Sequence, residues 1–105
     1  MKPTSFFKCL ADETRFQLVM LLQQHDELCV CEFIEHLDLS QPKISRHLAQ
    51  LRKCEVLSDQ RKGKWVYYRI NPALPPWCLN VIESAYQGNL TAFSSKTHSS
   101  TTCCE

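Results

Sequence analysis

No stretch of this 105-residue chain approaches the ~18 consecutive apolar residues that a membrane-crossing helix requires. The opening segment, "MKPTSFFKCLADETR", breaks into charge too soon for an export signal. A phosphate-binding glycine loop, a dinucleotide fingerprint and a Ser/His/Asp-type constellation are also missing, so an enzyme is not expected. These absences predict a cytoplasmic protein with no membrane partner. The length suits one domain with a modest core, and an oligomer would relieve that shortage. Seven cysteines in a secreted chain would suggest a disulfide framework; an odd number without an export signal points to reduced thiols available for metal or redox chemistry.

Net charge is only +1, but it is unevenly placed. Residues 1–39 carry three basic and seven acidic groups, residues 40–70 carry eight basic and two acidic, and residues 71–105 carry one basic and two acidic. A basic segment inside a nearly neutral chain is the footprint of nucleic-acid contact by one face.

The apolar spacing predicts a mainly α fold with one hairpin, in the order ααααββα. "TSFFKCLAD" reads as a short first helix with Phe6, Phe7 and Leu10 on one side. "ETRFQLVMLLQQH" is apolar around most of its circumference, as a buried central helix should be. Val30, Phe33, Ile34 and Leu37 recur at i, i+3, i+4 and i+7, which predicts about two turns of amphipathic helix after Cys29. Ser40 is a good N-cap, Pro42 fits a first turn, and Leu39 with Ile44 can staple the start of a fourth helix near Gln41. Ile44, Leu48 and Leu51 face inward there. This is the helix-turn-helix pattern, with Ser40, Gln41, Lys43, Ser45, Arg46 and His47 as candidate contacts to double-stranded DNA. "VLSDQRKGKWVYYRI" alternates around Lys62-Gly63 and reads as a hairpin wing, whose Arg61, Lys62 and Lys64 would meet phosphates. After "NPALPP", Pro76 opens a last helix with Cys78, Val81, Ile82 and Ala85 on one stripe. Residues 1–92 are thus expected to form a winged helix-turn-helix DNA-binding and dimerisation domain. Residues 93–105 read as a flexible cysteine-containing tail.

Within "ELCVCEF", Cys29 and Cys31 are two positions apart, which on a continuous helix would aim them about 200° away from each other. A free cysteine is usually a small buried hydrophobe, and core packing is the simplest reading of Cys9, Cys54 and Cys78. Two thiols in three residues at a helix start call for more, because the helix dipole favours thiolate there and thiolates select soft ions. His25 and His36 flank the pair and could serve zinc, although surface histidines are more often simply solvated. Cys103 and Cys104 either bind something or are incidental.

"ELCVCEF", "LSQPKISRHLAQLR" and "RKGKWVYYRI" together resemble the ArsR/SmtB metal-responsive repressors, and within them the arsenic-responsive ArsR branch. The resemblance runs over roughly residues 5–90. It implies a homodimer joined through the first and last helices, with Phe6, Phe7, Val81 and Ile82 between protomers. It also implies repression of an arsenic-resistance operon until arsenite or antimonite binds Cys29 and Cys31. Ile34 stands where a third cysteine often occurs in that branch. The third sulfur would then come from Cys103 or Cys104, with Cys54 and Cys9 less favoured, or from no protein group. An ion drawing both thiols to one side is expected to bend the start of their helix. A thiol redox sensor or a Cd/Zn/Pb-responsive repressor of the same fold is the alternative.

Overall fold

The computed structural model describes residues 1–90; the expected tail, with Cys103 and Cys104, lies outside the described residues. Five helices and three strands follow one another as α1 (Pro3–Leu10), α2 (Glu13–His25), β1 (Leu28–Cys29), α3 (Val30–Leu37), α4 (Gln41–Lys53), β2 (Leu57–Lys62), β3 (Trp65–Ile70) and α5 (Pro76–Gly88). The four leading helices, the hairpin and the closing helix match the expected order. The difference is β1, a two-residue strand that makes the wing three-stranded and antiparallel, with β3 in the middle.

Helix boundaries follow local chemistry. Asp12 caps α2 by accepting from the Arg15 N–H at 3.1 Å, and Ser40 Oγ caps α4 by accepting from the Lys43 N–H at 3.4 Å. Pro3, Pro42 and Pro76 sit in first turns, where a missing N–H costs nothing. Asp38, in the left-handed conformation at φ 55°, ends α3 and starts the short connection to α4. In the hairpin, Lys62 pairs with Trp65, so the turn is Gly63-Lys64. Gly63 at φ 64° supplies the positive φ that a type II′ turn needs at its first central residue.

α2 is the spine, as its apolar circumference predicts: Leu18, Val19, Met20, Leu21 and Leu22 are all buried in it. Phe6 of α1, Phe33 of α3, Ile44, Leu48 and Leu51 of α4, Val56 and Leu57 of the wing and Ile82 of α5 close around them. Truncating a buried Leu of this kind costs about 2–5 kcal/mol. Phe6 and Ile82 are therefore covered within this chain itself, at 0% and 1% exposure, and do not form the face expected to meet a second copy. What stays exposed is an aromatic corner: Phe7 and Trp77 lie 6.1 Å apart, and both stack edge-on against Phe6. Met1 and Leu90 are the other large apolar residues left exposed among those described.

Candidate DNA interface and thiol site

α4 presents its reading face through the residues three and four apart that do not touch the core. Gln41, Arg46 and Gln50 are exposed, Lys43 and Ser45 are half-buried, and Gln41 Nε2 donates to Ser45 Oγ at 2.7 Å. Ser40 is exposed, with its hydroxyl committed to the cap. His47 corrects the expectation. One turn on from buried Ile44, it falls on the inner flank of α4: its side chain is 12% exposed, and Nδ1 lies 3.8 Å from Asp12 Oδ2 at the start of α2. Burial pushes its pKa below the usual histidine value, Asp12 partly opposes this, and Arg15, Arg46 and Lys43 add to it. His47 is therefore turned towards the junction of α4 with α2, away from the outer face of α4.

The wing carries Arg61, Lys62 and Lys64 exposed at its tip. Arg61 and Lys64 are placed as expected, Lys64 lying 5.8 Å over the Trp65 ring. Lys62 is held back: its Nζ is 2.6 Å from Glu27 Oε2 and 5.2 Å over Tyr67. Glu27 stands just before β1, so the ion pair ties the wing tip to the segment that carries the thiols. Nothing in the spacing of the sequence signals this pairing, because its partners are 35 residues apart.

The same segment answers the question of the two thiols. Cys29 is not inside a helix. Its backbone is extended (φ −93°, ψ 171°), it pairs with Tyr67 of β3 while Leu28 pairs with Tyr68, and it stands immediately before α3. The Glu32 carboxylate accepts from the Cys29 N–H at 2.9 Å, anchoring that junction. Only Cys31 has helical neighbours on both sides, so the 200° opposition of a continuous helix does not arise and α3 need not bend for the two sulfurs to share a ligand. Cys29 is 3% exposed, Cys31 is half-buried, and both sulfurs are disulfide-bonded, whereas Cys9, Cys54 and Cys78 are free thiols. Once reduced, Cys29 and Cys31 offer two neighbouring thiolates, ligands that select soft ions.

Among the described residues no third His, Cys, Asp or Glu completes a metal cluster. Cys9 and Cys78 are buried in the core instead, and Cys54 packs against it. His25 and His36 meet each other, with ring centroids 4.8 Å apart.

A recognition helix with a basic outer face, a preceding support helix and a basic hairpin define a winged helix-turn-helix regulator of the kind that binds duplex DNA. Comparison with known proteins narrows this. Residues 12–59 match the family described as bacterial regulatory protein, arsR family. The chain is 51% identical to the arsenic resistance transcriptional regulator ArsR1 of Pseudomonas putida, over 85% of this chain and 70% of that protein. It is 52% identical to the arsenical resistance operon repressor of Escherichia coli, over 81% of this chain and 73% of that one. Among solved structures, HlyU from Vibrio cholerae superposes with a TM-score of 0.74 at 28% identity, covering 83% of this chain and 90% of that one. The chain belongs to the arsR family of bacterial regulatory proteins.

Proposed function

We propose that this protein is a homodimeric, DNA-binding repressor of an arsenic-resistance operon that leaves its operator when As(III) or Sb(III) binds Cys29 and Cys31. The observation that carries the reading is the position of Cys29, which belongs at once to the wing sheet and to the junction leading into the helix-turn-helix. In the repressing state α4 lies in the major groove with Gln41, Ser45 and Arg46 towards base edges and Lys43 towards phosphate. The wing adds Arg61 and Lys64 on the flanking backbone. The aromatic corner of Phe7 and Trp77, on α1 and α5, is the face that a second copy covers.

Cys29 is too buried to take an ion without local opening. Capture therefore draws β1 off β3, and with it goes the Glu27–Lys62 tie, so the wing loses its third strand as the junction before α3 moves. The coupling is reciprocal: whatever factor the ion removes from operator affinity, the operator removes from ion affinity. Moving occupancy from 99:1 to 1:99 requires the two states to differ about 10⁴-fold in ion affinity, roughly 5.5 kcal/mol. The third ligand comes from the Cys103-Cys104 tail or from solvent. The reduced protein should bind its own promoter and be released by arsenite in a gel-shift titration; failure of arsenite to release it defeats the reading.

A redox reading of the same site is favoured by one observation, that both sulfurs are disulfide-bonded. Under that reading, peroxide or a small disulfide releases the operator at concentrations where arsenite does not. The same titration with both effectors separates the two.

A further inference from the structure

Two histidines take no part in the operator face or the thiol pair, yet the fold brings them together. His25 is the last residue of α2 and is exposed; His36 lies in the last turn of α3 and is half-buried. Their ring centroids are 4.8 Å apart and their planes are tilted by 35°. That tilt is neither the parallel-offset nor the edge-to-face arrangement that two rings adopt for their own sake. The separation suits a shared ion. A zinc-like ion bonds an imidazole nitrogen at about 2.0–2.1 Å, which puts the ring centre about 3.2 Å from it. With about 90–110° between the two bonds, the ring centres lie about 4.5–5.2 Å apart. The observed separation falls inside that range.

The surroundings favour a cation. Both rings stand at the carboxyl ends of helices, where unpaired carbonyls carry partial negative charge. The residues that end these helices, Asp26 and Asp38, are acidic and exposed. From residue 16 to residue 42 the chain has five acidic side chains and no Lys or Arg. A stretch of one sign raises the local concentration of positive ions.

We propose that His25 and His36 form a site for a divalent transition-metal ion of the zinc class, each ring giving one nitrogen and water filling the remaining positions. Imidazole suits ions of this borderline kind. Among the described residues no third His, Cys, Asp or Glu joins the pair, so affinity is modest and the thiols stay a separate site. The ion ties the end of α2 to the end of α3, on either side of β1. It thereby steadies the strand whose opening the proposed function requires; that consequence rests on the proposed function, whereas the site itself does not.

The test uses the full chain with Cys29 and Cys31 disulfide-bonded, zinc chloride as the probe and the imidazole nitrogen resonances of the four histidines as the readout. Each ring reports the ion bound to it, so zinc taken up by a thiol elsewhere does not register. One nitrogen of His25 and one of His36 should shift together along a single titration curve, with His47, turned towards α2, as the unshifted reference. In His25→Ala the half-saturation concentration for His36 should rise at least about tenfold, and in His36→Ala that for His25 likewise, because the second bond no longer forms at the effective concentration set by the fold. An unmoved resonance at either ring of the wild-type chain, or an unchanged midpoint for the ring that remains in either variant, overturns the proposal.

Discussion

Two pairs of cysteines in this protein are placed in opposite ways. Cys29 and Cys31 are neighbours in sequence, the first on a two-residue strand at the edge of the wing sheet and the second in the first turn of α3. Cys9 and Cys54 are distant in sequence, the first buried on α1 and the second packed against the core at the end of α4. An edge strand of two residues opens at little cost, whereas a side chain closed into the core moves only with the elements around it.

The largest expected effect breaks the first pair. Cys29→Ser or Cys31→Ser, nearly equal in volume to the native side chains, should leave operator affinity intact while the roughly 10⁴-fold coupling to arsenite collapses towards one. Fluorescence anisotropy of a labelled operator with arsenite present checks this. Normal release in Cys54→Ser at the same arsenite concentration would confirm that the two pairs are independent.

Next come the residues that neither pair touches. Arg46→Ala should weaken specific binding by about 1–3 kcal/mol and blur sequence preference. Lys64→Ala should weaken all sequences alike and lower the salt slope by about one. Equal loss of preference in both variants would reverse their assigned roles.

Glu27→Gln sharpens the contrast at smaller cost. The Glu27–Lys62 pair is partly exposed, so its loss should reduce stability by no more than about 1 kcal/mol. It frees Lys62 for phosphate, and binding should tighten with a steeper salt slope; an unchanged slope would mean that Lys62 never reaches DNA.

At the Asp12–His47 contact, pH provides the probe. His47 has its folded pKa lowered from 6.5 by burial, so the unfolded chain binds the proton more tightly. Its contribution to stability is present above pH 6.5 and is lost as pH falls from there towards the folded pKa. Asp12 is also lowered, from 3.8, chiefly by the Arg15 backbone N–H, and its contribution fails only in more acid solution. Urea unfolding between pH 7 and 5 should show a decline in stability that His47→Gln flattens.

The smallest effect concerns the turn after Cys54. Glu55 occupies a left-handed position that glycine adopts without strain, so Glu55→Gly should raise stability by up to about 1 kcal/mol in thermal melts and leave arsenite release unchanged.

The helices were legible because their signals are local. Ser40 and Pro42 mark the start of α4, and the spacing of Val30, Phe33, Ile34 and Leu37 outlines α3. β1 was not, because two residues show no alternation and their partners, Tyr67 and Tyr68, lie in the hairpin far along the chain. His47 is hard to place for a similar reason: polarity alone suggests the outer face, while its spacing from Ile44 puts it on the inner flank. Phe6 and Ile82 show that an apolar stripe announces burial without naming the neighbour, since both are covered by their own chain. The Cys29–Cys31 pair was visible as a motif; that Cys29 belongs to a strand became visible only once β1 had been placed against β3.

The brevity of β1 also bears on time. A two-residue edge strand frays far more often than the six-residue strands beside it, and each fraying event exposes Cys29 briefly before it closes again. Under the proposed function, the sulfurs would set how tightly an ion is kept, while the strand would set how often one can be caught. Lengthening β1 would slow the response to a sudden exposure to arsenite, even in a protein whose final degree of derepression was nearly the same.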